Sequence, residues 1–300
     1  MVKNSIEYLL NDGMNILKER DYNNPFLDLQ LILMHLLNKD KIYLYTHKDE
    51  IIDEEIVKKY YEMVDTRNSG YPLQYMLHSQ EFMGLDFYVE EGVLIPRPDT
   101  ETLVEKIINL TKNSEYKNKQ INILDIGTGS GAIALSLAYY IKNSNVTAID
   151  ISDTAIKVAN INKKKFNIEN AEIIKGDLFG NLNIENKKFD IIVSNPPYIE
   201  KEEIDILQIE VAKYEPRLAL DGGKSGLIYY ERIANIVKDI ICDNGILSVE
   251  IGHNQAEDVS NLFKNANIFD KIEVDNDLYG KTRVVSAYLH TAYLSNFKLT

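Results

Sequence analysis

Asn195-Pro196-Pro197-Tyr198 is the segment of this 300-residue chain whose residue types are best suited to chemistry. Two consecutive prolines fix φ at about −65° and carry no N–H, leaving rigid carbonyls beside one amide side chain and one aromatic ring. Such a set suits a planar NH₂ group, whose two hydrogens need acceptors and whose flat face can rest on a ring. The run Phe189-Asp190-Ile191-Ile192-Val193-Ser194 directly before it reads as a buried parallel strand. The tetrapeptide therefore falls at a strand's carboxyl end, where open α/β sheets hold ligands. Asn-Pro and Pro-Pro are also ordinary loop punctuation, so the surrounding pattern has to decide.

A second cluster lies upstream in Asp125-Ile126-Gly127-Thr128-Gly129-Ser130-Gly131-Ala132, where glycines permit a tight turn and close backbone approach between a strand and a helix. Asp150 ends the next strand-like run, and its carboxylate can accept both hydroxyls of a ribose. Gly127-x-Gly129-x-x-Ala132 also fits a dinucleotide fingerprint, so the loop alone does not choose between cofactors. A helix N-cap role is the rival for Asp150, although Ser152 or Asp153 fills it better. Asp177 and Leu178 follow a third strand, at the place where an adenine ring lies in this architecture. There Asp177 can accept from an exocyclic amine and Leu178 can supply apolar contact, with a plain Gly176-Asp177 turn as the competing reading.

Other residues carry weaker signals. Gly222-Gly223-Lys224-Ser225 echoes a phosphate loop, but position 218 is Leu where the pattern requires Gly, so it reads as a turn opening a helix. The five histidines lack metal-ligand spacing, and no metal is expected. Cys242, the single cysteine, reads as a small buried hydrophobe in a reducing compartment. Glu215, Pro216 and Arg217 could shape a substrate mouth or form a plain loop. Arg97 could orient a partner or make an interdomain ion pair.

The elements that must position these groups follow from periodicity. Residues 1–78 show helical spacing without strand runs, predicting a small helical domain. Residues 79–95 read as a β-hairpin linker, with Phe82, Leu85, Phe87, Val89 and Val93 punctuated by Gly84 and Gly92. Residues 96–300 form the third section. Its prolines enforce an extended start, Asp99 or Thr100 caps a helix over 101–111, and strand-like and helix-like runs then alternate. That order predicts an α/β fold, a doubly wound, mostly parallel seven-stranded sheet. Residues 271–274 and 283–289 have no helix between them and should pair as an antiparallel hairpin at the sheet edge.

The formal net charge is −13, and residues 1–85 carry 9 basic against 14 acidic side chains. Duplex nucleic acids recruit basic surfaces that release phosphate counterions, so this balance argues against DNA as the main substrate. Met1–Glu7 lacks a signal-peptide pattern, and the longest apolar stretch, interrupted at His35, is too short to span a bilayer. A cytoplasmic protein without membrane association is expected.

These residues together resemble the amino methyltransferases that use S-adenosylmethionine. More narrowly, three segments look like those of the release factor glutamine methyltransferases of the HemK/PrmC type: Ile95-Pro96-Arg97-Pro98-Asp99-Thr100-Glu101, Tyr214-Glu215-Pro216-Arg217-x-Ala219-Leu220 and Glu250-Ile251-Gly252-His253-Asn254-Gln255. The resemblance spans residues 70 to 290. It implies a Rossmann-like methyltransferase domain after a helical domain that contacts bacterial peptide chain release factors. It also implies methylation of the glutamine nitrogen in their Gly-Gly-Gln motif, with S-adenosylhomocysteine as product. Gly127, Thr128, Gly129, Ser130, Gly131, Asp150, Asp177, Leu178 and Asn195 are the expected cofactor contacts, and Leu178 departs from the tryptophan of many relatives. Asn195, Pro196, Pro197 and Tyr198 are the expected substrate contacts. Of these, Asn195 and Pro196 accept from the amide and Tyr198 stacks on it as the catalytic set. The rival enzyme is an adenine-N6 methyltransferase of DNA or RNA, which poses the same chemical problem but requires base flipping. A non-catalytic binding module would have degenerate glycines or no Asn195, and an NAD oxidoreductase would need a proton-transfer pair such as Tyr-x-x-x-Lys; neither signature is present.

Overall fold

A computed structural model describes residues 2–112, 116, 119–177 and 187–289. The chain divides into two compact units, one of residues 1–79 with 206–214 and the other of residues 80–205 with 215–300. The helical unit begins with α1 (Ile6–Ile16), α2 (Pro25–Leu37), α3 (Lys41–Thr46), α4 (Glu54–Asn68) and α5 (Leu73–Leu77). Ser5, Asn24 and Asp40 each accept a backbone N–H in the first turn that follows, a capping contact worth about 1 kcal/mol. Ile6, Leu9, Leu29, Ile32, Leu33, Tyr60 and Val64 form its core.

The second unit opens with β1 (Gln80–Phe82) and β2 (Leu85–Phe87), an antiparallel pair. The turn residues Met83 and Gly84 both have positive φ, as a tight two-residue hairpin turn demands. This hairpin was expected as a separate linker over 79–95. Its strands are shorter, and Phe82 and Phe87 are fully buried in the core of the second unit, which makes the hairpin part of that unit. The helix α6 (Pro98–Thr111) starts three residues earlier than expected. Pro98 occupies the first turn, where its missing N–H costs nothing, and neither Asp99 nor Thr100 caps it.

The rest alternates: β3 (Ile121–Ile126), α7 (Ala132–Tyr140), β4 (Ser144–Asp150), α8 (Asp153–Lys165), β5 (Ala171–Lys175) and β6 (Phe189–Ser194). The short helix α9 (Ile209–Tyr214) belongs to the helical unit, which the expected 96–300 domain did not foresee. Arg67, with a side chain 4% exposed, explains that allegiance: it lies 2.7 Å from Asp28 of α2 and 2.8 Å from Glu210 of α9. A buried guanidinium without carboxylates costs several kcal/mol, so both partners are needed. Then come α10 (Ile228–Ile240), β7 (Ile241–Glu250), α11 (Ala256–Asn265), β8 (Phe269–Asn276) and β9 (Thr282–Leu289).

The strands form one seven-stranded sheet in the order β5-β4-β3-β6-β7-β9-β8, parallel from β5 to β7 and antiparallel at β9 and β8. Side chains alternate between its faces. Ile121, Ile123, Ile191 and Val193 enter one core, while Leu124, Ile126 and Ile192 enter the other. Burial of such side chains is worth about 1.5–3 kcal/mol each, which fixes the register because a one-residue slip would turn them to the wrong face. The strand order reverses between β3 and β6, whose carboxyl ends pair Ile126 with Ser194. No helix among the described residues is long and apolar enough to cross a membrane.

Candidate active site

Register alone collects the sequence candidates at the carboxyl end of the parallel strands. Ile126 pairs with both Ile149 and Ser194, and Asp150 pairs with Lys175, so the residues that follow each strand leave the sheet side by side. Gly127, Thr128, Gly129, Ser130, Asp150, Gly176, Asp177, Asn195, Pro196 and Pro197 line a single cavity at this switch point. Leu178 lies outside the described residues. Gly131 stands just behind the wall as the N-terminal cap of α7, with φ of 83°.

The glycine loop is shaped by its strand neighbours. The Gly127 and Thr128 N–H groups donate to the Ile149 carbonyl at 2.9 and 3.0 Å, and the Thr128 hydroxyl donates to Asp125 Oδ2 at 2.6 Å. Gly127 and Gly129 both take left-handed φ, and a Cβ built at either position would meet nothing within 4 Å, so both backbones border open space. Asp150 supports the loop as well as facing the cavity: its Oδ2 accepts from the Gly129 N–H at 2.8 Å and its Oδ1 from the Ser152 N–H at 2.9 Å. Ser152, as expected, caps α8. Burial raises the Asp150 carboxyl above its ordinary pKa, against the pull of these N–H donors.

A bare backbone loop, the half-buried carboxylate of Asp150 and a second acidic side chain, Asp177, form a donor and acceptor set that fits S-adenosylmethionine. The carboxylate of Asp150 suits ribose hydroxyls, and the uncovered glycine backbone leaves room for the chain of a methionine.

At the tetrapeptide the structure is more specific than the sequence. Asn195 Nδ2 donates to Thr100 Oγ1 at 3.2 Å, which engages one of its two N–H groups and fixes which side of the amide faces Thr100, with Oδ1 on the other side as an acceptor. Thr100, expected as a helix cap, instead stands buried in the first turn of α6 and lines the same cavity. Ser194 Oγ donates to the Ile126 carbonyl at 2.8 Å and locks β6 to β3 just before the tetrapeptide.

Tyr198 departs from expectation. It is not among the residues lining the cavity; its ring packs against the core beneath these strand ends, and its hydroxyl donates to Glu250 Oε1 at 3.2 Å. The cause lies in the Glu250–Gln255 segment. Gln255 Nε2 donates to the Tyr198 carbonyl at 3.0 Å while its Oε1 accepts from the Gly252 N–H at 2.9 Å. Gly222 allows the same packing, since a Cβ there would sit 2.8 Å from Tyr198 Cα. Gly222 and Gly223 thus lie in an irregular connection that bends at residues 224–226 before α10. Burial raises the Tyr198 phenol well above its ordinary pKa, so it stays a donor.

Glu250, Gln255, Thr100 and Asn162 are site-building residues that residue-level reasoning missed. The first two lie in a segment noted only for its resemblance to a family. Asn162 carried no signal at all: it is fully buried in α8, where it donates to the Ser130 and Tyr88 carbonyls and accepts from the Tyr88 N–H. Arg97 and Glu215 pair with each other inside the second unit, which answers their open roles. Cys242 is half-buried rather than fully so.

Residues 100–224 match the model of the Methyltransferase small domain, and residues 8–77 match that of the PrmC N-terminal domain. The chain is 42% identical over 274 residues to the release factor glutamine methyltransferase of Clostridium acetobutylicum, covering 91% of this chain and 94% of that protein. It is 39% identical over 280 residues to the enzyme of the same name from Clostridium botulinum, covering 93% and 97%. Among solved structures, a methyltransferase from Pyrococcus furiosus shares the fold with a TM-score of 0.50 at 18% identity, covering 75% of this chain and 98% of that one.

Proposed function

The chain belongs to the release factor glutamine methyltransferase family, and on that premise we propose that it methylates the side-chain nitrogen of the glutamine in the Gly-Gly-Gln motif of bacterial peptide chain release factors. Such a substrate belongs to translation and places the protein in the cytoplasm. S-adenosylmethionine, held by Gly127, Thr128, Gly129, Ser130, Asp150 and Asp177, with Gly131 shaping the loop from behind and Asn195 at its reactive end, supplies an electrophilic sulfonium methyl and departs as S-adenosylhomocysteine.

The observation that carries the reading is the orientation of Asn195. A carboxamide nitrogen is a weak nucleophile because its lone pair is delocalised into its carbonyl, so geometry must provide the help. With Nδ2 bound to Thr100, Asn195 Oδ1 accepts one N–H of the substrate amide, and the rigid Pro196 carbonyl accepts the other. The two acceptors turn the lone pair toward the methyl donor. Pro197 walls the site. Tyr198, held by Glu250 and Gln255, fixes the tetrapeptide from below rather than stacking on the amide. As the new N–C bond forms, the nitrogen becomes cationic and acidic, and its proton passes to solvent without a dedicated strong base.

Mass spectrometry of a purified release factor incubated with this protein and S-adenosylmethionine tests the proposal. One added methyl on the Gly-Gly-Gln glutamine is expected, with none on an oligonucleotide rich in adenine. Methylation of the oligonucleotide alone would establish the adenine-N6 reading instead. Asn195→Ala should abolish transfer while leaving S-adenosylmethionine affinity within a few-fold.

A further inference from the structure

Glu250, the last residue of β7, is 1% exposed and faces the tetrapeptide from beneath. Its Oε1 accepts from the Tyr198 hydroxyl at 3.2 Å, and its backbone carbonyl accepts from the Tyr230 hydroxyl at 2.9 Å. Its Oε2 is buried without a well-aligned hydrogen bond, and the adjacent Thr100 hydroxyl is a donor whose interaction favours its ionised form. The Thr100 hydroxyl stands beside it and in turn accepts from Asn195 Nδ2. Asp99 from the same turn of α6 and Arg283 from β9 are its charged neighbours. Thr100, which holds the Asn195 amide, and the Tyr198 hydroxyl thus both neighbour one buried carboxyl group.

We propose that Glu250 is a positioning residue whose ionised carboxyl sets the donor and acceptor direction of the Thr100–Asn195 chain, so that Asn195 presents its oxygen and not its NH₂ to the substrate amide. The inference rests on the function proposed above and adds to it the group that selects the working orientation of Asn195. The direction follows from the donor inventory. An ionised carboxylate only accepts, so it draws the Thr100 O–H toward itself and leaves the Thr100 oxygen to accept from Asn195 Nδ2. A protonated Glu250 can donate to Thr100. The Thr100 hydroxyl is then free to donate to Asn195 Oδ1, and a rotated amide turns its NH₂ toward a substrate that itself offers only N–H.

Burial pushes the Glu250 carboxyl up to about 7, with Thr100, Arg283 and Tyr198 pulling it down and Asp99 adding to the rise. For an acid raised in this way the working, ionised form accumulates as pH increases. The proposal therefore expects kcat to climb with pH through about 7.

Two measurements test it together. Steady-state methylation of a release factor should show Glu250→Gln reducing kcat by about 10- to 100-fold, with KM for the release factor and calorimetric affinity for S-adenosylmethionine each within about 3-fold. Its kcat should no longer depend on pH between 6 and 8. Thr100→Val should show the same kcat defect, and Thr100→Ser, which keeps the hydroxyl, should recover most of it. The second measurement needs no turnover: in ¹⁵N-asparagine-labelled protein the Asn195 side-chain resonance, assigned by its loss in Asn195→Ala, should shift with pH around 7 and stay constant in Glu250→Gln. A folded Glu250→Gln with unaltered kcat and pH profile overturns the proposal. So does a Thr100→Val enzyme at full kcat, which decides the matter if Glu250→Gln fails to fold. Should release factor methylation be absent while the resonance still titrates, the functional reading falls and the positioning role stands. Methylation without that titration sinks the positioning role alone.

Discussion

The Arg97 Nη2 lies 2.7 Å from both carboxylate oxygens of Glu215. The pair ties the start of α6, which carries Thr100, to the segment whose Pro216, Leu218 and Ala219 line the cavity. The Glu215 side chain is 1% exposed and the Arg97 side chain 36%. Removing the cation from a fully buried pair costs about 3–5 kcal/mol, and the partial exposure of Arg97 lowers this to about 2 kcal/mol. Arg97→Ala should therefore shift the urea midpoint by that amount and weaken S-adenosylmethionine binding several-fold by calorimetry. Arg97→Lys should regain only part of both, because one ammonium reproduces the charge but not the planar guanidinium. A variant with unchanged midpoint would show that the pair is not structural.

Two glycines of the same loop should fail in different ways. Gly127→Ala places its Cβ in open space beside the cavity and pays only the left-handed backbone cost of about 1–2 kcal/mol. Gly131→Ala bears that cost too and also sets a Cβ 2.8 Å from Leu135 Cδ1 and 3.3 Å from Ala159 Cβ, inside a packed core. Gly131→Ala should be the less stable protein in thermal melts without ligand. Gly127→Ala should show the greater loss of the S-adenosylmethionine-induced rise in melting temperature relative to its own destabilisation. Equal losses in both assays would mean that the cavity does not use the Gly127 backbone.

How much of this was legible in the sequence depends on whether the signal was local. The run Ile121–Ile126 and the run Phe189–Ser194 announced themselves as strands because buried parallel strands are continuous apolar stretches. The glycine loop, Asp150 and Asn195 followed from their places after those strands. Thr100 was misread as a cap because Pro98 starts the helix and frees Thr100 to face Asn195 across 95 positions of sequence. Tyr198 was read as a platform because nothing local reveals Glu250 and Gln255 drawing it away. The membership of α9 in the helical unit rests on Arg67 and Glu210, separated by 143 positions, and no periodicity encodes such a pair.

Asp125 should give the stability curve a measurable slope. It is fully buried beneath the glycine loop, where Thr128 and Ala134 donate to Oδ2 while Oδ1 has no partner, and burial pushes its carboxyl up to about 7. The folded protein therefore holds a proton that the unfolded chain releases near pH 4. Between about pH 4 and 7 the unfolded state binds fewer protons, so this group makes stability fall as pH rises, and the loss is complete above about 7. Each pH unit is worth about 1.4 kcal/mol, giving a contribution on the order of 2–4 kcal/mol. Asp125→Asn, which cannot ionise, should gain on the parent by that amount between pH 4.5 and 7.5 in urea titrations. A constant difference across that range would show that Asp125 is ionised throughout.

Asn162 makes the most direct link between the core and the cofactor loop. Its Nδ2 donates to the Ser130 carbonyl at 2.9 Å and the Tyr88 carbonyl at 3.0 Å, and its Oδ1 accepts from the Tyr88 N–H at 2.7 Å. One side chain thus holds the glycine loop to the strand-like segment after β2. Asn162→Leu has similar volume but abandons three backbone groups in a site with no exposure, and each buried unmade bond costs about 1–3 kcal/mol. The expected loss is about 3–5 kcal/mol in the urea midpoint, with S-adenosylmethionine affinity falling at least about tenfold in whatever fraction remains folded. Asn162→Asp keeps the acceptor for Tyr88 N–H but sets a buried carboxyl oxygen against the Ser130 and Tyr88 carbonyls. It should be no more stable than the leucine variant at neutral pH, regain stability as pH falls and the carboxyl takes up a proton, and bind S-adenosylmethionine just as poorly at neutral pH, where the Ser130 contact is gone in both. Full affinity in Asn162→Asp would mean that the loop holds its shape through Asp125, Asp150 and Ile149 alone.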